Sequence, residues 1–326
     1  MQYQIKILLL SFVITIITSL AIIPILKKLK VGQMERTEGP QSHLGKQGTP
    51  TMGGIIMILV ITVLTGFLCY DYIKDNQSSV AKNLIPIAAV SIGFGLVGFI
   101  DDFKKLVLKN TEGLKPKYKM FGLLIIATIF TVYLTNVMHI GTDLIIPFAK
   151  TSITLPIWLY IPFTIFVMLG TTNAINLTDG IDGLSTSVTT IILTCLTVIG
   201  IIFGVKEIVI MGVSLIGICL AFLLFNLHPA KVFMGDTGSL FLGGAVSVMA
   251  IYLKLPILLL IIAIIPVLET LSDIIQVAHY KRTGKRVFKM APLHHHFELC
   301  GWNENAIVSV FSIITLIACM IGLATI

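Results

Sequence analysis

Apolar residues in this chain come in blocks of about 17 to 25, separated by short polar breaks; each block is long enough to cross roughly 30 Å of hydrocarbon as a helix. Reading blocks against breaks predicts ten helices, near 5–26, 53–70, 84–100, 120–137, 156–173, 185–204, 207–226, 238–253, 256–279 and 305–325. The first block has no basic leader and no small-residue cleavage site, so it reads as a retained span. Between the fourth and fifth blocks, "HIGTDLIIPFAKTSITLP" (139–156) carries β-branched residues on either side of a central break, the pattern of a short β-hairpin lying on the outer surface. The expected fold is an all-α polytopic membrane protein, residues 1–326 forming one membrane domain with no separate soluble unit.

Composition agrees with the pattern: 56% of the 326 residues are hydrophobic and 12% charged, outside the range of soluble domains. The net charge of +7 is sorted rather than spread. Of 23 lysines and arginines, 17 fall on one face of the ten-span arrangement: five in 27–52, six in 101–119, one in 227–237 and five in 280–304. The positive-inside rule makes that face cytoplasmic and puts both termini outside. The basic excess is thus a topology signal, and no nucleic-acid partner is expected. The five cysteines (Cys69, Cys195, Cys219, Cys300, Cys319) are scattered with no CxxC pair, which argues against a disulfide framework or zinc site.

The acids are sorted too. Asp101, Asp102, Asp179, Asp182 and Asp236 all fall where a span meets the basic face. An interfacial charge costs far less than one at the bilayer centre, so depth alone does not make them functional. Ordinary readings exist for each loop: "DDFKK" as a helix end neutralised by its lysines, and "FMGDTGSL" as a turn and helix cap. Against these, adjacent carboxylates at Asp101 and Asp102 repel, and two Asp-Gly pairs in series in "NLTDGIDGL" exceed the needs of one capped turn. With Lys46, Lys105, Lys117, Lys119, Lys231 and "APLHHHFE" on the same face, the group suits Mg²⁺ holding phosphate oxygens, since Mg²⁺ binds through one or two carboxylates plus substrate phosphates. Three adjacent histidines converge poorly on a tetrahedral zinc site.

Five stretches in order, "KQGTPTMGG" (46–54), "DDFKK" (101–105), "NLTDGIDGL" (176–184), "FMGDTGSL" (233–240) and "PLHHHFE" (292–298), resemble the signatures of the polyprenyl-phosphate sugar-1-phosphate transferases. Within them, the GTPTMGG segment and the triple histidine resemble the bacterial phospho-N-acetylmuramoyl-pentapeptide transferases. The resemblance runs over nearly the whole chain. It implies transfer of phospho-N-acetylmuramoyl-pentapeptide from its UDP-linked donor to undecaprenyl phosphate, giving lipid I and UMP, with Mg²⁺, in a homodimer of the bacterial plasma membrane.

The same resemblance implies residue roles. Asp236 would ligate Mg²⁺, and one of Asp101 and Asp102 would act beside the lipid phosphate. His294 and His295 would contact the phosphate or sugar, with His296 beside them. Lys46, Lys105 and Lys117 would balance negative charge. Asn176, Asp179, Asp182, Asn226 and Phe233 would shape the nucleotide pocket, Phe233 stacking on uracil, and Thr51, Gly180, Ile181 and Gly235 would bind substrate. Direct attack and an aspartyl-phosphate intermediate both remain open. Two alternatives are a UDP-N-acetylglucosamine-using GlcNAc-1-phosphate transferase with the same site and a different sugar pocket, and, more remotely, a cation-coupled transporter using Glu269 and Asp273 of the ninth span.

Overall fold

The computed structural model describes residues 2–29, 46, 48–106, 113–149 and 151–326. Parts of the predicted basic loops, 30–45 and 107–112, lie outside the described residues, as does Lys150. The chain is an all-α polytopic membrane protein. In order it forms α1 (Gln2–Lys28), α2 (Gly54–Lys74), α3 (Ser78–Leu106), α4 (Pro116–Asn136), β1 (Asp143–Ile146), β2 (Thr151–Thr154), α5 (Ile157–Thr178), α6 (Leu184–Ile202), α7 (Lys206–Asn226) and α8 (Gly235–Tyr252). A 3₁₀ turn (Pro256–Leu258), α9 (Leu259–Ile262), α10 (Ile264–Thr283), α11 (Leu293–Leu299) and α12 (Glu304–Ala324) follow. Among the described residues, α1 to α7 and α12 are each long and apolar enough to cross a membrane.

The predicted ninth span is not one helix. It breaks at Ala263, and the pieces Pro256–Ile262 and Ile264–Thr283 meet at 84°. Pro266 contributes, having no N–H to give the Ile262 carbonyl and a ring that crowds it, but Pro24, Pro86 and Pro162 sit inside unbroken helices, so proline alone does not set the break. Beyond the break α10 buries only Ile265, Pro266, Glu269 and Ser272. The predicted eighth span, α8, departs in another way. Glycines and serines thin its apolar content and it does not qualify alone as a span, yet residues 237–251 are buried without interruption. Packing rather than oiliness holds it, because small residues let neighbouring backbones approach. A side chain on Gly98 of α3 would sit 2.1 Å from the Asp236 carbonyl, and one on Gly54 of α2 2.1 Å from the Gly238 nitrogen.

The hairpin forms as expected, antiparallel with Asp143 opposite Thr154 and Ile146 opposite Thr151. Its Asp143 carboxylate accepts from Thr154 Oγ1 (2.7 Å) and Lys254 Nζ (3.0 Å), tying the hairpin to the end of α8. Both chain ends lie at this end of the bundle. Tyr3 donates to Asp71 at the end of α2, while Thr325 and Ile326 line a depression with Ile145 and Phe203. The interfacial aspartates collect at the opposite end.

Candidate active site

Three helix ends meet where α3 runs out beside the start of α8 and the end of α5. The helical turn separates Asp101 from Asp102, and the two carboxylates do different things. Asp102, 5% exposed, faces α8: its Oδ2 accepts from Thr237 N (2.9 Å) and Oγ1 (2.6 Å), and its Oδ1 from Asp236 N (3.3 Å). It caps a helix that has no cap of its own, placing negative charge at the positive end of the α8 dipole. The approach depends on Gly235, whose φ of +71° favours glycine and whose Cβ would come 2.7 Å from Asp102 Oδ2 and 2.9 Å from Thr51 Oγ1.

Asp101 faces the other way. Its Oδ2 pairs with Lys105 Nζ at 2.7 Å, one turn along α3, and its Oδ1 accepts from Leu114 N at 2.6 Å. Lys105 reaches on to Asp236 Oδ2 (3.0 Å), and Lys119 of α4 reaches the same oxygen (3.0 Å) and Asp101 at 3.8 Å. Asp236 Oδ1 accepts from Asn176 Nδ2 (2.8 Å), which also bonds Ser239 Oγ (2.7 Å). Asp101, Asp236, Lys105, Lys119 and Asn176 thus form one network from α3, α4, α5 and α8. Lys117 is exposed and outside it; Lys119, two residues on, occupies the position expected of Lys117. The signal for Lys119 was its place near the start of α4, where the i, i+2 offset sends two neighbouring lysines to opposite sides of the helix.

Asp179 ends α5 as its C-cap and accepts no hydrogen bond from any described residue. Desolvation pushes its carboxyl up to about 8, with the negative charges of Asp236, Asp102 and Asp182 adding to the shift. Carboxylate oxygens are the hard donors a small divalent cation takes, and Asp236 and Asp101, now paired with Lys105 and Lys119, are the ones that could hold it.

A second cluster lies past the turn 179–183. Asp182, 3% exposed, accepts from Lys46 Nζ (2.7 Å), His228 Nδ1 (3.1 Å) and Ala230 N (3.0 Å). Its own N–H donates to Glu304 Oε2 at 3.2 Å, and Lys46 bonds that same oxygen at 2.7 Å. Burial pulls the Lys46 ammonium down, but its hydrogen bonds and charge contacts with Asp182 and Glu304 outweigh burial and hold it above the usual lysine value. Ligand atoms of Asp182, His228 and Glu304 lie within 4.8 Å of one another, a spacing that suits a metal, yet the Lys46 ammonium already supplies the positive charge. Glu304, at the start of α12, was not among the expected site residues because no motif surrounds it.

The remaining predicted residues are distributed around these clusters. Asn226 is buried with both amide ends engaged, accepting from Thr186 Oγ1 (2.9 Å) and donating to the Val232 carbonyl (3.0 Å), so it braces the α7 end. Phe233 is half-buried and its backbone bonds Pro50 O (2.8 Å) and Gly53 N (2.9 Å), joining the 46–54 segment to the start of α8. Ile181 is buried. Of the three histidines on α11, only His294 is buried: Glu269 holds it, and its Nε2 abuts Gly180. His295 lies against it at 4.2 Å between ring centres, the rings inclined by 59°, and pairs with Glu298, while His296 accepts from Lys289 N (3.1 Å). Glu269, considered above as a transport group, is thus engaged by α11 and does not share a free face with Asp273.

The family described as glycosyl transferase family 4 matches residues 84–254. A phospho-N-acetylmuramoyl-pentapeptide-transferase of Clostridium perfringens (strain 13 / Type A) is 51% identical over 316 residues, covering 97% of this chain and 96% of its own. One of Acetivibrio thermocellus is 47% identical over 315 residues, 96% of this chain and 92% of its own. One of Clostridium novyi (strain NT) is 46% identical over 324 residues, 99% and 96% respectively.

Proposed function

Because the chain belongs to glycosyl transferase family 4 and, within it, to the phospho-N-acetylmuramoyl-pentapeptide transferases, we propose that the acid-rich end of the bundle is where its two substrates meet. The enzyme moves phospho-N-acetylmuramoyl-pentapeptide from UDP to undecaprenyl phosphate, making lipid I for peptidoglycan and releasing UMP. The acid-rich end faces the cytoplasm of the bacterial plasma membrane, where a soluble nucleotide sugar and a lipid phosphate reach the same depth. A homodimer belongs to this reading on family grounds.

Both reacting groups are anionic phosphates, so the barrier is charge repulsion, and the useful devices are fixed cations and in-line positioning. Lys105 and Lys119, already converged on Asp236 and Asp101, supply two ammonium groups that turn from carboxylate to phosphate oxygens when substrate enters. Asp101 orients the lipid phosphate; Asp102 acts indirectly by holding the start of α8 and so the position of Asp236. A lipid phosphate ionised at neutral pH needs orientation more than a base. Mg²⁺, held by Asp236 and Asp101, would neutralise the pyrophosphate and make UMP a better leaving group. Phe233 lines the nucleotide side, and Lys46 with Asp182 holds the 46–54 segment bonded to it.

The convergence of Lys105, Lys119 and Asn176 on the Asp236 carboxylate carries this reading. Asp236→Ala in purified protein should lower Mg²⁺-dependent UMP release by at least about 10³-fold, the scale of losing a principal electrostatic group, while the thermal unfolding midpoint stays close to that of the parent. Activity near the parent's would remove Asp236 from the reaction.

A further inference from the structure

Glu269 belongs to none of the motifs, yet it is 0% exposed in α10 just past the break, and both its carboxylate oxygens are directed at one residue. Oε1 accepts from His294 N (3.2 Å) and Oε2 faces His294 Nδ1 (3.1 Å). A carboxylate only accepts, so Nδ1 carries a proton towards it, and in the neutral imidazole Nε2 is then a bare lone pair. That nitrogen has no hydrogen-bond partner although the residue is 1% exposed. It abuts Gly180 so closely that a Cβ there would lie 2.0 Å away. Gly180 follows Asp179, so the lone pair is aimed at the turn that borders the acidic cluster.

A buried acceptor without a partner is destabilising, and such a group in a native fold calls for one. Resting on the transferase reading, we propose that Glu269 is a positioning residue: it locks His294 as a hydrogen-bond acceptor at Nε2, and the donor that satisfies Nε2 arrives with the substrate. An acceptor there repels phosphate oxygens and takes an O–H or N–H, so His294 reads a hydroxyl or amide of the sugar-peptide part rather than a phosphate. The 84° break serves this arrangement, because it turns α10 so that Glu269 meets α11 instead of continuing the line of α9.

Glu269→Gln is the discriminating variant. With its carbonyl on His294 N, the amide offers an N–H to Nδ1, so the proton moves to Nε2 with almost no change in shape. In protein carrying ¹⁵N-histidine in nanodiscs, with the His294 signals identified by their loss in His294→Asn, the parent should show unprotonated Nε2 and the variant protonated Nε2. Transfer should fall about 10- to 100-fold, the scale seen when an outer partner of a functional histidine is lost. Glu269→Asp, which keeps the acceptor, should retain the parent tautomer and recover more activity than Glu269→Gln. A parent His294 with Nε2 protonated overturns the proposal whatever the variants do. So does a Glu269→Gln protein with reversed tautomer and parental rates, or equal losses in both variants with the tautomer unchanged. Parent protein that releases no UMP would instead remove the transferase reading and leave the tautomer result standing.

Discussion

The two ionic clusters on either side of the turn 179–183 use the same groups to opposite ends. Around Asp236, Lys105 is 39% exposed on its side chain and Lys119 16%, and the two approach from α3 and α4, which themselves border the cluster. Around Asp182, Lys46 is 11% exposed and clamps carboxylates from two distant parts of the chain, with a backbone N–H and His228 closing the remaining sides. An ammonium that water can reach exchanges partners at little cost, whereas one enclosed by two buried carboxylates cannot leave without stranding them. The first arrangement suits handling phosphate; the second suits holding the 46–54 segment, the turn and α12 in register.

Removing each lysine is the most direct way to break this contrast. Lys46→Ala leaves Asp182 and Glu304 buried without a cation and should cost about 3–5 kcal/mol of stability, read as a large fall in the thermal unfolding midpoint in detergent. Should Lys46→Ala melt like the parent, the closed cluster is not a structural clamp. Lys119→Ala should do the reverse, with transfer falling about 10- to 100-fold, equivalent to about 1.4–2.7 kcal/mol, and the midpoint little moved. Lys117→Ala is its control and should keep near-parental turnover; equal losses in the two would return Lys117 to the site.

A separate test concerns Asp179 and sharpens which group of the acidic cluster holds a proton. Its carboxyl is raised to about 8 in the folded chain, against an ordinary value near 3.9, so between those pH values the folded state binds more protons than the unfolded state. Stability from this group is therefore greatest below about pH 4 and is lost as pH rises towards 8. Asp179→Asn should flatten that part of the pH–stability curve measured without divalent cation. An unchanged slope would mean that Asp179 is not the group taking up the extra proton.

Much of the site was legible before any fold was known, because a charged residue in an apolar chain has few places to stand, and its depth can be read from its distance to the block edges. That logic identified Asp101, Asp102, Asp179, Asp182 and Asp236 and their common end. It did not separate Asp101 from Asp102, since which neighbour faces α8 depends on how α3 is rotated against it, and that is decided by Gly95 and Gly98 admitting the α8 backbone. It preferred Lys117 to Lys119 for the same reason. Glu304 and Glu269 carried no motif; their roles exist only because α12 and α10 bring them to Asp182 and His294.

By itself the sequence determined the class of molecule, its division into apolar helices, the hairpin and the end at which charge collects, because these follow from the cost of placing polar groups in hydrocarbon, a property of each segment alone. Tertiary structure decided which carboxylate caps α8 and which joins the lysine network, which lysines reach Asp236, and how the ninth predicted span turns at Ala263 to bring Glu269 to α11. Those choices depend on helix rotation and close packing between segments far apart in the chain, and no local pattern records them.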